Sequence, residues 1–452
     1  RTSHNPYSTS LLDLCDRYGI LVVDELYDKW LTQFAGGRRD WMSLWPHDIE
    51  EFIRRDRNHP SVILWSLGNE LQTYANLPYR DWGVTPYKLM RQLVQRFDPT
   101  RLTTVAMHPR GRSLTTDSLP APLALETDIA AYNYRYMYFP GDRRRFPNMI
   151  FYQSEASLSQ MGPNYYGMDL NSVVGLAYWG MIDYLGESRG WPEKGWTDGA
   201  FDITLQPKPR AWLLRSMFKE HEPLVHIAVV DRSAGNLKWN GVQLGNEQLS
   251  DHWNRNAGDT LTLYTFTNAD EVELLLNGRS LGRQKNNKQV PAERNRIRWD
   301  KIAYQKGHLE AVAYTDGRVV ARHKISTTGR AVALRLVADT PQWRADGTDL
   351  LHVTVEAVDR KGRRVVDAAD DIAFTVEGDA RLIAVANGDM ASDELHTQHH
   401  RRLYHGTCQV ILRAGTTPGT VTLTSSAWSA KALLPIRTTL LRPICSGTAG
   451  WE

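Results

Sequence analysis

The chain has 452 residues, 42% hydrophobic and 23% charged, with a formal net charge of +3. That length exceeds one ordinary core and predicts two to four domains, and the densest basic runs, Arg143-Arg144-Arg145 and Arg401-Arg402, are too short for a nucleic-acid footprint. No run approaches the roughly twenty apolar residues that span a bilayer, and Cys15, Cys408 and Cys445 give neither metal spacing nor a disulfide framework.

In chain order, Arg1-Thr2-Ser3-His4-Asn5-Pro6 reads as the polar end of a strand whose apolar body lies upstream. Helical patterns follow over residues 8–18, 46–57, 86–97 and 209–218. Between them lie apolar strands over 19–25, 62–70, 102–107, 124–134, 149–155 and 175–184. Alternating strands and helices predict a parallel sheet with crossover helices. Polar residues at the strands' C-terminal ends suit a TIM barrel, (β/α)₈, with its first two units absent.

The pattern changes after Glu222-Pro223. Short alternating strands appear, with hairpin signals at Asn277-Gly278 and Asp316-Gly317. A second set of strands falls over 331–338, 350–359, 372–377, 406–414 and 419–426. The expected fold is multidomain: a partial barrel over 1–221, all-β sandwiches over 222–329 and 330–441, and a tail over 442–452.

Chemistry is suggested by two carboxylates. Trp65-Ser66-Leu67-Gly68-Asn69-Glu70 closes the apolar run Val62-Ile63-Leu64, and Phe151-Tyr152-Gln153-Ser154-Glu155 repeats that plan. Glycoside hydrolysis needs such a pair, one as acid/base and one as nucleophile or water activator. Glu70 reads as acid/base or as a helix cap. Glu155 reads as nucleophile or as a structural carboxylate at the rim. Asn69 is placed to hydrogen-bond a substrate hydroxyl. Tyr134 is a candidate partner of the nucleophile or a packed tyrosine. Trp179 is a candidate sugar-stacking floor or interior packing. His4 and Asn5 follow an inferred strand end. Asp24-Glu25, an acidic pair at a strand end, reads as a metal-binding pair or as a positioner of arginines; with no His at ligand spacing nearby the positioning role is favoured, and Arg1 is a candidate partner of Glu25.

These residues carry a resemblance to glycoside hydrolase family 2, the β-galactosidase family. Arg1-Thr2-Ser3-His4-Asn5-Pro6, Leu14-Cys15-Asp16-Arg17-Tyr18-Gly19 and Val22-Val23-Asp24-Glu25 resemble its first signature. Asn58-His59-Pro60-Ser61 through Glu70 resembles its acid/base signature, and Gln153-Ser154-Glu155 its nucleophile position. The segments Trp179-Gly180-Met181-Ile182-Asp183-Tyr184 and Asp198-Gly199-Ala200-Phe201-Asp202 resemble the end of its barrel.

The resemblance implies a retaining, exo-acting β-glycosidase acting on terminal β-D-galactose, with Glu70 as acid/base and Glu155 as nucleophile. It implies that Tyr134 contacts the nucleophile and that His4, Asn69 and Trp179 line the sugar subsite. It also implies immunoglobulin-like C-terminal domains and an N-terminally truncated chain. The best-known β-galactosidases bind a metal in the stretch after Asp24-Glu25 through a Glu and a His. Glu25 matches the former, but no His follows in Leu26-Tyr27-Asp28-Lys29-Trp30, so neither magnesium nor another cofactor is expected. Alternatives are β-glucuronidase or β-mannosidase specificity, a non-catalytic carbohydrate-binding protein, or an inactive fragment. The expected partner is a carbohydrate, without nucleic acid or membrane, and a homo-oligomer stays open. A periplasmic or extracellular location is favoured over a cytoplasmic one.

Overall fold

A computed structural model describes the chain apart from residues 32–38, 72–76, 110–111, 113–117, 234–237, 240–241, 244–245, 429 and 440–452. The expected tail and Cys445 therefore lie outside the described residues. The chain forms two compact units. One comprises residues 1–179, 234–246 and 289–292; the other comprises 180–233, 247–288 and the described residues from 293 onward.

The first unit is a partial TIM barrel. Its sheet runs β1 (Val22–Glu25), β2 (Val62–Asn69), β3 (Leu102–Met107), β4 (Ala130–Asn133), β5 (Phe151–Ala156), β6 (Val173–Tyr178), in that order and all parallel. The helices are α1 (Thr9–Tyr18), α2 (Trp41–Asp56), α3 (Val84–Phe97), α4 (Pro122–Glu126), α5 (Phe139–Arg145) and α6 (Met161–Tyr166). Local chemistry sets their limits. Ser8 caps α1 by accepting from Leu11 N, and Gly19 ends it at φ 68°.

Three expectations are corrected. Helix α2 starts at Trp41, capped by Asp40, with Pro46 inside it rather than at its start. The strand expected over 124–134 is a short helix followed by β4, because Pro122 favours a first helical turn. The strand expected over 175–184 begins at Val173 and ends at Tyr178; Gly180, at φ 65°, then turns the chain.

Strand alternation divides the packing between two faces. Val22, Trp65, Tyr132 and Phe151 join the larger core with α1–α3 and α5. Their neighbours Val23, Leu64, Ala131 and Tyr152 form a second cluster on the opposite face. The polar residues described below extend that second face toward the strands' C-terminal ends.

The second unit opens with a hairpin, β7 (Tyr184–Leu185) and β8 (Gly195–Trp196), then helix α7 (Pro209–Phe218). Two all-β modules follow. The first pairs a four-stranded sheet built on Val225–Arg232 and Thr260–Thr267 with one built on Glu271–Leu276 and His308–Thr315. Trp253, Leu274 and Trp299 are among its buried residues. Asn277 (φ 52°) and Gly278 (φ 85°) close the expected hairpin in left-handed conformations. The second module packs Leu350–Val358 and Thr407–Ala414 against Gly419–Ala427 and Ala430–Thr439. Strands Ala380–Ala386 and Ala430–Thr439 were not among those expected from sequence. Among the described residues no helix is long and apolar enough to cross a membrane.

Candidate active site

The motif on β2 is built residue by residue. Trp65 is fully buried and donates to Asp98 Oδ2 at 3.0 Å. Ser66 Oγ donates to Glu25 Oε2 at 2.6 Å. Leu67 joins the larger core, and its carbonyl accepts from Trp30 Nε1 at 2.8 Å. Gly68 must lack a side chain, since a Cβ there would lie 2.8 Å from Trp30 Nε1. Asn69 and Glu70 then reach the sheet's C-terminal rim. His59 Nδ1 lies 2.7 Å from Asp16 Oδ2, and Ser61 N donates to Asp16 Oδ1 at 2.8 Å, so α1 anchors the approach to β2.

Arg1 organises the rim. Its guanidinium donates to Glu25 through Nε (3.0 Å to Oε2) and Nη2 (2.9 Å to Oε1). Nη1 donates to Glu155 Oε1 at 2.7 Å and to the Ser154 carbonyl at 3.0 Å. Nη2 also reaches Asn69 Oδ1 at 2.9 Å. Asn133 Nδ2 donates to that same Asn69 oxygen at 2.9 Å and to Glu70 Oε1 at 3.1 Å. Ser154 Oγ donates to Asn133 Oδ1 at 2.6 Å. Glu155 and Glu70, distant in sequence, thus belong to one hydrogen-bonded network through Arg1, Asn69 and Asn133.

Irregular strand ends aim these groups. Pairing registers shift between Ser66 and Asn69, between Ala131 and Asn133, and between Gln153 and Ala156. Such shifts re-aim side chains that strict alternation would bury. Glu70 (φ 50°) and Tyr134 (φ 58°) adopt left-handed backbone conformations. For residues other than glycine these cost on the order of 1–3 kcal/mol and gather at functional sites. Backbone bonds hold both in place: Glu70 N donates to Ala106 O and Tyr134 N to Glu155 O, each at 2.7 Å.

His4 and Trp179 form one wall. Their rings stack at 5.2 Å between centroids and 11° between planes. His4 Nδ1 sits 2.7 Å from Glu25 Oε1, which fits a donating Nδ1–H. Nε2 then faces Asn69 Nδ2 at 3.4 Å and Glu155 Oε1 at 4.0 Å. Asp28 borders the group, accepting from Asn69 Nδ2 at 3.1 Å and from Lys29 Nζ at 2.5 Å.

Burial makes the electrostatics strong. Burial alone would push the Glu25 carboxyl up, yet Arg1, His4 and Ser66 hold it below the usual carboxylate range. Burial opposes the Arg1 charge, and Glu25 and Glu155 outweigh it, raising the guanidinium above its ordinary pKa. Asp24 behaves in the opposite way. Burial, then the adjacent Asp56 carboxylate, raises it to about 7. The unfolded carboxyl releases its proton near ~3.9. Between these values the native state binds more protons, so stability falls as pH rises from about 4 to about 7. Asp24→Asn is expected to flatten that slope and to stabilise the chain at neutral pH. Urea midpoints measured from acid to neutral pH check this; an unchanged slope would remove Asp24 as its source.

Arg1, His4, Glu25, Asn69, Glu70 and Glu155 converge in this network, and Trp179 adjoins it through His4. Tyr134 joins it through its backbone. Sequence reasoning did not single out Asn133, Ser66, Ser154 or Asp28. Alternation offered one signal, because a polar residue between Tyr132 and Tyr134 faces away from the apolar layer. Both Glu25 oxygens are engaged by Arg1, His4 and Ser66, a donor set that suits a positioned carboxylate rather than a metal ligand. Among the described residues, ligand atoms converge at Asp13, Asp16 and His59 and at Asp371, Glu394 and His400, and neither group includes a rim residue.

Carboxylates thus gather at the strands' C-terminal ends of a parallel sheet of TIM-barrel type. Residues 1–128 match the family described as "Glycosyl hydrolases family 2, TIM barrel domain", and 334–432 match "Glycoside hydrolase family 2 C-terminal domain 5". Residues 258–321 match a domain family of unknown function. Glu70 lies inside the first match and Glu155 downstream of it. The chain is 28% identical over 510 residues to the β-galactosidase BoGH2A of Bacteroides ovatus, covering 94% of this chain and 55% of that protein. It is 27% identical to a putative β-glucuronidase of Formosa agariphila, covering 92% of this chain and 42% of that protein. A crystal structure of a glycosyl hydrolase family 2 member from Bacteroides cellulosilyticus superposes with a TM-score of 0.85 at 30% identity, covering 97% of this chain and 57% of the other. The chain belongs to glycoside hydrolase family 2. It spans about half the length of these relatives.

Proposed function

We propose that this chain carries the chemical machinery of a retaining β-glycosidase that removes terminal β-D-galactose. The observation that carries the reading is the single network joining Glu155 to Glu70 through Arg1, Asn69 and Asn133. Glu155 attacks the anomeric carbon, and Glu70 protonates the departing glycosidic oxygen. A covalent glycosyl-enzyme forms. Glu70 then takes a proton from the water that displaces the sugar from Glu155. Arg1 orients Glu155 for attack, its guanidinium donating to that carboxylate at 2.7 Å. His4 and Asn69 are assigned to sugar hydroxyls, Trp179 to the apolar ring face, and the Tyr134 phenol to the nucleophile. Glu25 positions Arg1 and His4. No step requires a metal or another cofactor.

Uronate specificity is the second reading. Lys29, paired with Asp28 beside Asn69, puts a cation near the rim that a substrate carboxylate could recruit. A panel of aryl β-galactoside, β-glucuronide and β-mannoside decides between them. The expected result is galactoside turnover well above the other two. Dominant glucuronide turnover, abolished by Lys29→Met, would favour the second reading. No turnover of any of the three by this polypeptide would defeat both.

A further inference from the structure

The hairpin that follows Trp179 in the chain has a fixed base and a bare tip. Its base is tied to the C-terminal β-module. Lys194 N donates to Met390 O at 3.0 Å, and Lys194 Nζ donates to the carbonyls of Ala391 (3.1 Å) and Ser392 (2.8 Å). Gly195 is closed in, since a Cβ there would lie 2.5 Å from Met390 Cε. Farther along, Gln206 Nε2 donates to Thr354 Oγ1 at 3.0 Å and Gln409 Nε2 to Thr204 O at 3.2 Å. A segment held this way loses little further freedom when a ligand binds it.

The tip presents an indole. Trp191 is 80% exposed. Lys194 Nζ, already held by two carbonyls, lies 5.1 Å from its ring centroid and fixes the ring from one side. The same hairpin carries hydrogen-bonding groups. Arg189 pairs with Asp198 and sits 5.3 Å over Trp196, and Tyr184 donates to Glu187 at 2.5 Å. A protein partner would need a wider apolar patch. Here the indole is surrounded in sequence by Glu187, Ser188, Arg189, Gly190, Pro192 and Glu193, with Pro192 the one apolar side chain among them. One flat apolar face with a charged surround matches a pyranose ring, which is apolar on its C–H face and polar at its edge.

We propose that Trp191 is a stacking platform for one pyranose ring of a β-linked oligosaccharide, with Arg189 and Glu187 as partners for its hydroxyls. The proposal rests on the reading that this chain handles β-linked sugars.

The test uses the full chain carrying Glu155→Gln, titrated calorimetrically with β-linked galactotetraose. Trp191→Ala added to it is expected to weaken binding roughly tenfold, about the contribution of one aromatic stack, whereas Trp191→Phe retains most of the affinity. In the chain with Glu155 intact, Trp191→Ala leaves hydrolysis of a short aryl glycoside unchanged. Equal affinity with and without the indole, or no binding by the parent, would overturn the proposal. Absent aryl-glycoside turnover together with a Trp191-dependent affinity would overturn the catalytic reading and leave this one standing.

Discussion

Glu155→Gln is expected to reduce aryl β-galactoside turnover by on the order of 10⁴-fold or more, because loss of a nucleophile removes the covalent route altogether. The fold should survive. A glutamine carbonyl can still accept from Arg1 Nη1, and Arg1 keeps its three bonds to Glu25. Glu70→Ala is expected to cost less, roughly 10²–10⁴-fold, the usual range for a general acid/base. That loss should shrink as the leaving group improves, since a good leaving group needs little protonation. Added azide separates the two roles by stereochemistry. With Glu70→Ala it attacks the glycosyl-enzyme from the water's side and gives the retained β-azide. With Glu155→Ala it takes the nucleophile's place and gives the inverted α-azide. The same azide anomer from both variants would contradict the assignment. Retention also requires the carboxyl groups to lie about 5–5.5 Å apart.

The largest expected stability effect belongs to Glu25→Ala. Glu25 is fully buried and bonds to Arg1, His4 and Ser66. Removing it leaves the nearly buried Arg1 guanidinium with Glu155 as its one ion-pair partner among the described residues, and takes the acceptor from the His4 Nδ1–H and the Ser66 hydroxyl. Breaking one side of a buried pair costs about 3–5 kcal/mol. Urea denaturation should read that loss as a lower midpoint with an unchanged slope. The double variant Arg1→Met, Glu25→Met should lose less than the sum of the two single losses, because neither charge is then left alone. Additive losses would show that the two side chains do not act as a pair.

The parallel architecture was legible because its strands are short apolar runs ended by polar residues, as in Val62-Ile63-Leu64 before Ser66. Hairpin turns were legible for a different reason: Asn277-Gly278 and Asp316-Gly317 take left-handed conformations that few residue pairs tolerate. The start of α2 was misjudged because Pro46 looked like a first-turn proline, whereas Asp40 supplies the cap. The rim was only partly legible. Asn133 and Ser154 act through register shifts that move residues off strict alternation, and a single sequence does not announce such shifts. Asp28 and Ser66 were passed over because their partners, Asn69 and Glu25, lie on other segments.

The bonds between Lys194 and the carbonyls of Ala391 and Ser392 bear on how this architecture can be recombined. A chimera joined just after α7 would give the hairpin a foreign neighbour and strand an ammonium evolved for two particular acceptors. A junction beside Gly180, where the second compact unit begins, carries hairpin and acceptors across together. Residues 180–208 are in this sense inherited with the C-terminal half, although the chain reaches them straight from the sixth barrel strand.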